Sequence, residues 1–188
     1  MRQKGFVTSL KEKDLLMSAK ILRSINKFVE VMPEITASIA GILLVALVIV
    51  IFINIMARNL FGWSFEFANE IAGFCLLGIV FLGLAYALKK GAHIKVELVT
   101  SFLPEFFKAL LLTVAYGFGL VIVMIFFLGT LDFVNNAYKL GLRESTEFAT
   151  PYFIPGILMP TGLFVFMIRI IIEGYRSLKN FLKLLLGS

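Results

Sequence analysis

Residues 89–98 read KKGAHIKVEL, the most polar run in the middle of an otherwise apolar chain. It carries the single histidine, His93, among Lys89, Lys90, Lys95 and Glu97. An imidazole beside a carboxylate is suited to proton transfer or metal ligation. One histidine builds no clustered metal site, and the sequence shows no cysteine pair, glycine-rich phosphate loop or nucleophile–base motif. A Ser–His pair would need Ser101, in a charged surface loop, so His93 is read as a headgroup-level hydrogen-bonding residue. A second polar group is Asn54 with Arg58, one turn on, followed by FGWSFEFANE. There Glu66 and Glu70 lie one helical turn apart beside Trp63. Acids in a first helical turn face the positive end of the helix dipole, and Arg58 can pair with either. The chemistry on offer is ion pairing, either to fix a hairpin or to dock a partner. In TPYFIPGILMPTG, Pro151 can start a helix, while Pro155 and Pro160 lack the donor that a helix interior needs and predict a kink. Arg169 and Glu173, one turn apart, read as a snorkelling pair.

These groups are positioned by elements that composition makes plain. The chain has 188 residues, 60% of them hydrophobic and only 16% charged, with a mean hydropathy of +0.95. Soluble domains carry about a quarter charged residues, so an all-α integral membrane protein is predicted. Crossing a hydrocarbon core about 30 Å thick takes about 20 helical residues. Four runs qualify, near residues 35–57, 67–88, 109–131 and 148–172. Each must be helical, because an open strand edge stays unpaired in lipid. None carries a charge at its centre, which argues against a self-contained ion-coupled carrier. Ala68/Ala72, Gly83/Ala87 and Ala115/Gly119 are small pairs at the spacing that lets membrane helices approach. Cys75, the only cysteine, lies in an apolar run and reads as a small buried hydrophobe.

Residues 1–34 differ. Leu15, Leu22 and Val29 lie seven apart, and Lys11, Lys13, Lys20, Arg23 and Lys27 supply a charged side. This predicts an amphipathic interfacial helix, with docking on a protein partner as the competing reading. The segment lacks the short apolar core and cleavage pattern of a signal peptide. With a cytoplasmic N-terminus, fifteen basic residues fall on the cytoplasmic side and only Arg58, Lys139 and Arg143 on the other. The positive-inside rule then places both termini in the cytoplasm. The organisation read is a cytoplasmic segment 1–34, a four-helix membrane domain 35–176 and a basic cytoplasmic tail 177–188. The net charge of +6 is accounted for by this membrane-flanking excess, with no nucleic acid implied.

The string NIMARNLFGWSFEFANEI, then FLGLAYALKKGAHIKVELV running on to FLP, then the proline-bearing TPYFIPGILMPTG, resembles the small membrane subunit of tripartite ATP-independent periplasmic (TRAP) transporters. The most specific part is the basic–Gly–Ala–His–Ile–basic–Val–acidic–Leu stretch. Members that carry two adjacent acids before the second span differ here, where the chain reads Asn69, Glu70. The resemblance implies a non-enzymatic scaffold subunit in a bacterial or archaeal inner membrane. A large polytopic subunit would hold the substrate and sodium sites, and a periplasmic binding protein would deliver an organic anion. No cofactor is implied for this chain itself. Asn54, Arg58, Trp63, Glu66 and Glu70 would form a docking or structural cluster on the outer face. KKGAHIKVEL would be a cytoplasmic elbow, with Lys89 and Lys90 meeting lipid headgroups, Gly91 permitting the turn and His93 holding it. Residues 102–110 would lead into the third span. Two rival readings stay open: a free-standing small carrier, and a membrane-bound enzyme of lipid metabolism using His93 and Glu97.

Overall fold

The computed structural model describes residues 2–91, 104–145 and 149–186, with side chains from residue 30 onward except that of residue 66. The described elements are helices: α1 (Arg2–Phe61), α2 (Glu66–Lys89), α3 (Glu105–Lys139), α4 (Phe153–Gly156) and α5 (Leu158–Leu186). The chain divides into two units, Met1–Met32 and Pro33–Ser188. The first is helical from Arg2 onward. The faces of its predicted amphipathic helix lie outside the described side chains.

The second unit carries the membrane helices. Four stretches are long and apolar enough to span a bilayer: Glu30–Phe61, Phe67–Lys89, Glu105–Lys139 and Phe153–Leu186. A helix satisfies every backbone donor and acceptor within itself, which is why such sequences fold this way in lipid. Central to the unit is α5, which packs against α2 on one side and α3 on the other. Leu88, Val123, Leu163 and Ile170 form the buried core, flanked by Phe81, Tyr116 and Phe127. On α1, Pro33, Thr36 and Ala40 are buried, and Leu43, Leu47, Val50, Asn54 and Ala57 continue the seam half-buried. Their alternating three- and four-residue spacing keeps one stripe of the helix turned inward. Along it, Glu34 pairs with Lys89 at 2.7 Å, and Leu43 lies against Gly78.

The close helix approaches fall at glycines other than those the spacing picked out. A methyl at Gly162 would overlap the carbonyl of Phe81, and one at Gly78 would come within 2.5 Å of Leu43 Cδ1. A methyl at Gly83 or Gly119 would meet nothing within 4 Å beyond its own helix. A four-residue spacing of small residues shows where a helix is slim; it does not show which slim patch meets a neighbour.

Two helix boundaries also differ from the sequence reading. Residues 105–110 belong to α3 itself, with Pro104 at its N-cap, and are no separate lead-in; residues 102 and 103 lie outside the described residues. α3 has 35 residues, about 52 Å of helix at 1.5 Å each, so it extends beyond a hydrocarbon core of about 30 Å. Pro151 does not start a helix. It pairs with Arg143 in an antiparallel bridge, where Glu144 N–H donates to Thr150 O and Tyr152 N–H to Leu142 O. Residue 148 lies outside the described residues. α4 begins at Phe153, and the helical path is interrupted at Ile157 before α5. Pro160 lacks the N–H that would bond the carbonyl of Gly156, and the α-helical ladder loosens there.

Candidate functional site

The polar side chains gather at two opposite ends of the second unit. One end holds the 62–65 turn and the Arg143–Pro151 bridge. The other holds the C-terminus of α2, the start of α3 and the last turns of α5. The buried core separates them.

At the turn end, Asn54 closes the hairpin between α1 and α2. Its Oδ1 accepts the N–H of Phe65 at 3.0 Å. Phe65 is the N-cap residue of α2 and supplies no side-chain cap, so Asn54 satisfies one of the donors a helix start leaves unpaired. Gly62 ends α1 with φ 73°, and its N–H donates to Arg58 O at 3.1 Å. A positive φ suits glycine, which has no Cβ to clash. Leu60, Phe61 and Trp63 are each over 70% exposed, as befits an aromatic belt at the lipid–water boundary. Arg58 is exposed. The side chain of Glu66 lies outside those described.

Glu70 is turned the other way. It is buried and lines a cavity of about 680 Å³ together with Asn69, Phe133, Glu144, Tyr152 and Met159. The bridge at Arg143–Pro151 is what brings Glu144 and Tyr152 to this cavity. The hydrogen bond to the Glu144 carboxylate raises the Tyr152 pKa, with lost hydration and the charges of Glu144 and Glu70 adding to it. Glu70 therefore shares its site with Glu144 and Tyr152, two residues that sequence reasoning passed over. Their signal was faint: an acid and a tyrosine eight positions apart in sequence, whose pairing only the bridge reveals. Pro155 also lines this cavity and is buried, whereas Pro160 is buried within α5.

At the basic end, α2 stops cleanly. Lys90 N–H bonds Tyr86 O, and Gly91 N–H bonds Leu88 O. Gly91 has φ 71°, a conformation that strains other residues. The Lys90 ammonium lies 5.6 Å from the centre of the Tyr86 ring. His93, Lys95 and Glu97 lie outside the described residues.

Beyond the core, Phe106 meets Phe181 with ring centres 5.3 Å apart. Thr113 and Ser177 share a hydrogen bond at 3.1 Å. Arg169, read from sequence as snorkelling, is buried instead. Its Nη2 contacts Glu173 Oε1 at 2.6 Å. The same oxygen receives Arg176 Nη1 at 3.3 Å. Among the described residues, Nε and Nη1 of Arg169 have no hydrogen-bond partner. The reversal has a geometric cause. Ile170, its neighbour in sequence, belongs to the core with Leu88 and Val123, and a helix so enclosed gives an arginine little path to water.

The described residues hold ion pairs at the basic end, and helix-end hydrogen bonds and a cavity of modest size at each end. They suit packing and assembly. Against known proteins, the chain is 20% identical over 134 residues to a protein of Haemophilus influenzae named as a TRAP transporter small permease, covering 71% of this chain and 81% of that one. It is 25% identical over 127 residues to the ectoine TRAP transporter small permease TeaB of Halomonas elongata, covering 68% of this chain and 65% of that protein. The family profile described as "Tripartite ATP-independent periplasmic transporters, DctQ component" matches residues 47–180, from the last quarter of α1 almost to the end of α5, and the chain belongs to this family of multi-pass inner-membrane proteins.

Proposed function

We propose that this chain is the scaffold subunit of its transporter. It supports a large polytopic transport subunit during sodium-driven uptake of an organic anion handed over by a periplasmic binding protein. The observation that carries the reading is the closed interior of the second unit. The backbone of α2 sits directly on Gly162 of α5, and Leu88, Val123, Leu163 and Ile170 fill the space between the two end cavities. A unit packed in this way is rigid enough to support a moving neighbour. Both termini then lie in the cytoplasm, the turn end faces the periplasm, and the exposed Arg58 and Trp63 are available to a docking protein there.

The test is co-purification. The tagged chain, extracted gently from native membranes, is expected to bring a large polytopic protein in stoichiometric amount. Liposomes holding that complex should take up an organic anion only with an inward sodium gradient and the binding protein present. Liposomes holding this chain alone should take up none. Transport by the lone chain would overturn the scaffold reading in favour of a free-standing carrier, and uptake unaffected by sodium would overturn the coupling.

A further inference from the structure

The cleft between α3 and α5 at the basic end has no role in the scaffold reading. Its volume is about 560 Å³, and Lys108, Arg176, Lys183 and Ser177 line it beside Leu112 and Leu184. Two acids, Glu105 and Glu173, also reach it. One oxygen of Glu173 is already shared by Arg169 and Arg176, at 2.6 and 3.3 Å. Three lining cations face two carboxylates, and Arg169 behind Glu173 offsets one of these, so the site is net positive. A net positive cleft between two membrane helices points to an anion.

The surroundings indicate which anion. Lys108 lies in the first turn of α3 and Lys183 in the last turn of α5, where these helices leave the apolar core. The leucines of the cleft continue onto open surface, since Leu110, Leu111, Leu182 and Leu185 are all exposed. A soluble phosphate gains nothing from such a wall, whereas a lipid places its phosphate among the cations and its acyl chains along the leucines. Basic pockets between membrane helices recognise anionic headgroups in this way. We infer that the α3–α5 cleft is a binding site for the phosphate of an anionic phospholipid. The site ties the two helices together at the membrane surface, and it does not depend on the scaffold reading.

The test uses the full chain in nanodiscs made from phosphatidylglycerol and phosphatidylcholine, released into detergent for native mass spectrometry. Retention of phosphatidylglycerol over phosphatidylcholine is expected. Lys183→Gln should lower that retention about fivefold, the effect of one basic residue near an anionic surface. Lys183 is exposed near the helix end, so this variant is expected to fold. Arg176→Gln combined with it should remove the preference. Lys179→Gln, on the same helix but outside the cleft, should leave it unchanged. Equal retention of both lipids, an unchanged preference in Lys183→Gln, or an equal loss in Lys179→Gln would overturn the inference. Displacement of the bound lipid by millimolar inorganic phosphate would overturn the lipid assignment, since the cleft would then serve a soluble anion.

Discussion

α1 and α5 are both long membrane helices, yet they stand in opposite relations to their surroundings. The most apolar window of the span at α1 is only 6% buried within the chain, while that of the α4–α5 span is 39% buried. The ordering by hydropathy is the reverse, with α1 the most apolar of the four spans and α4–α5 the least. In water this would be paradoxical. In lipid it follows from the absence of a hydrophobic drive between helices: acyl chains solvate leucine as well as a neighbouring helix does. Association then rests on close approach and polar pairing. α5 has both, through Gly162, Gly174, Ser177 and Arg169, whereas α1 meets its neighbour along one narrow seam. The helix that looks greasiest thus shares with α3 the greatest opening to lipid or to another subunit.

The comparison can be broken most forcefully at glycine. Gly162→Leu should abolish the folded unit, because the new side chain must displace the Phe81 backbone. Gly41→Leu on α1 meets open space and should stay within about 0.5 kcal/mol of the parent, as surface changes do. Thermal unfolding in detergent measures both, and equal losses would mean that α5 is no more closely packed than α1.

Arg169 sharpens the polar side of the contrast. Removal of one member of a buried ion pair costs about 3–5 kcal/mol, whereas replacement of both by apolar residues is often nearly neutral. Arg169→Met should therefore destabilise the chain strongly, and Arg169→Met with Glu173→Leu should recover much of the loss. Denaturant unfolding of the two variants decides it. A double variant as weak as the single one would show that Arg169 acts by filling space. The opposite substitution on α1, Ile42→Met, touches only exposed surface and serves as the baseline.

The smallest effect lies at the turn end. The Tyr152 pKa is raised chiefly by its hydrogen bond to Glu144. A raised pKa means that the protonated phenol is favoured in the fold. The contribution is complete below the usual tyrosine pKa of about 10 and is lost as pH rises through the higher folded value. Difference absorbance between the parent and Tyr152→Phe should show this phenol ionising late, and Glu144→Gln should move it back toward the ordinary range. An unmoved titration in Glu144→Gln would leave the bridge without a side-chain lock.

Much of this was legible in the sequence alone. Composition required a membrane protein, run length gave four spans, and the strings around Asn54 and KKGAHIKVEL carried the family resemblance. Each is a local property, because lipid compels every apolar run to close its own hydrogen bonds within itself. The sequence also offered Asn54 as a hairpin residue, since such a cap depends on near neighbours. What the tertiary structure alone decided were the pairings across distance. Glu70 joined Glu144 and Tyr152 because the Arg143–Pro151 bridge folds back to them, and Arg169 went inward because α5 lies between α2 and α3. Gly162 proved the close crossing while Gly83 and Gly119 face open space. Side-chain types and spacing along one helix do not encode which face meets which neighbour, and in a bilayer apolarity does not supply that information either.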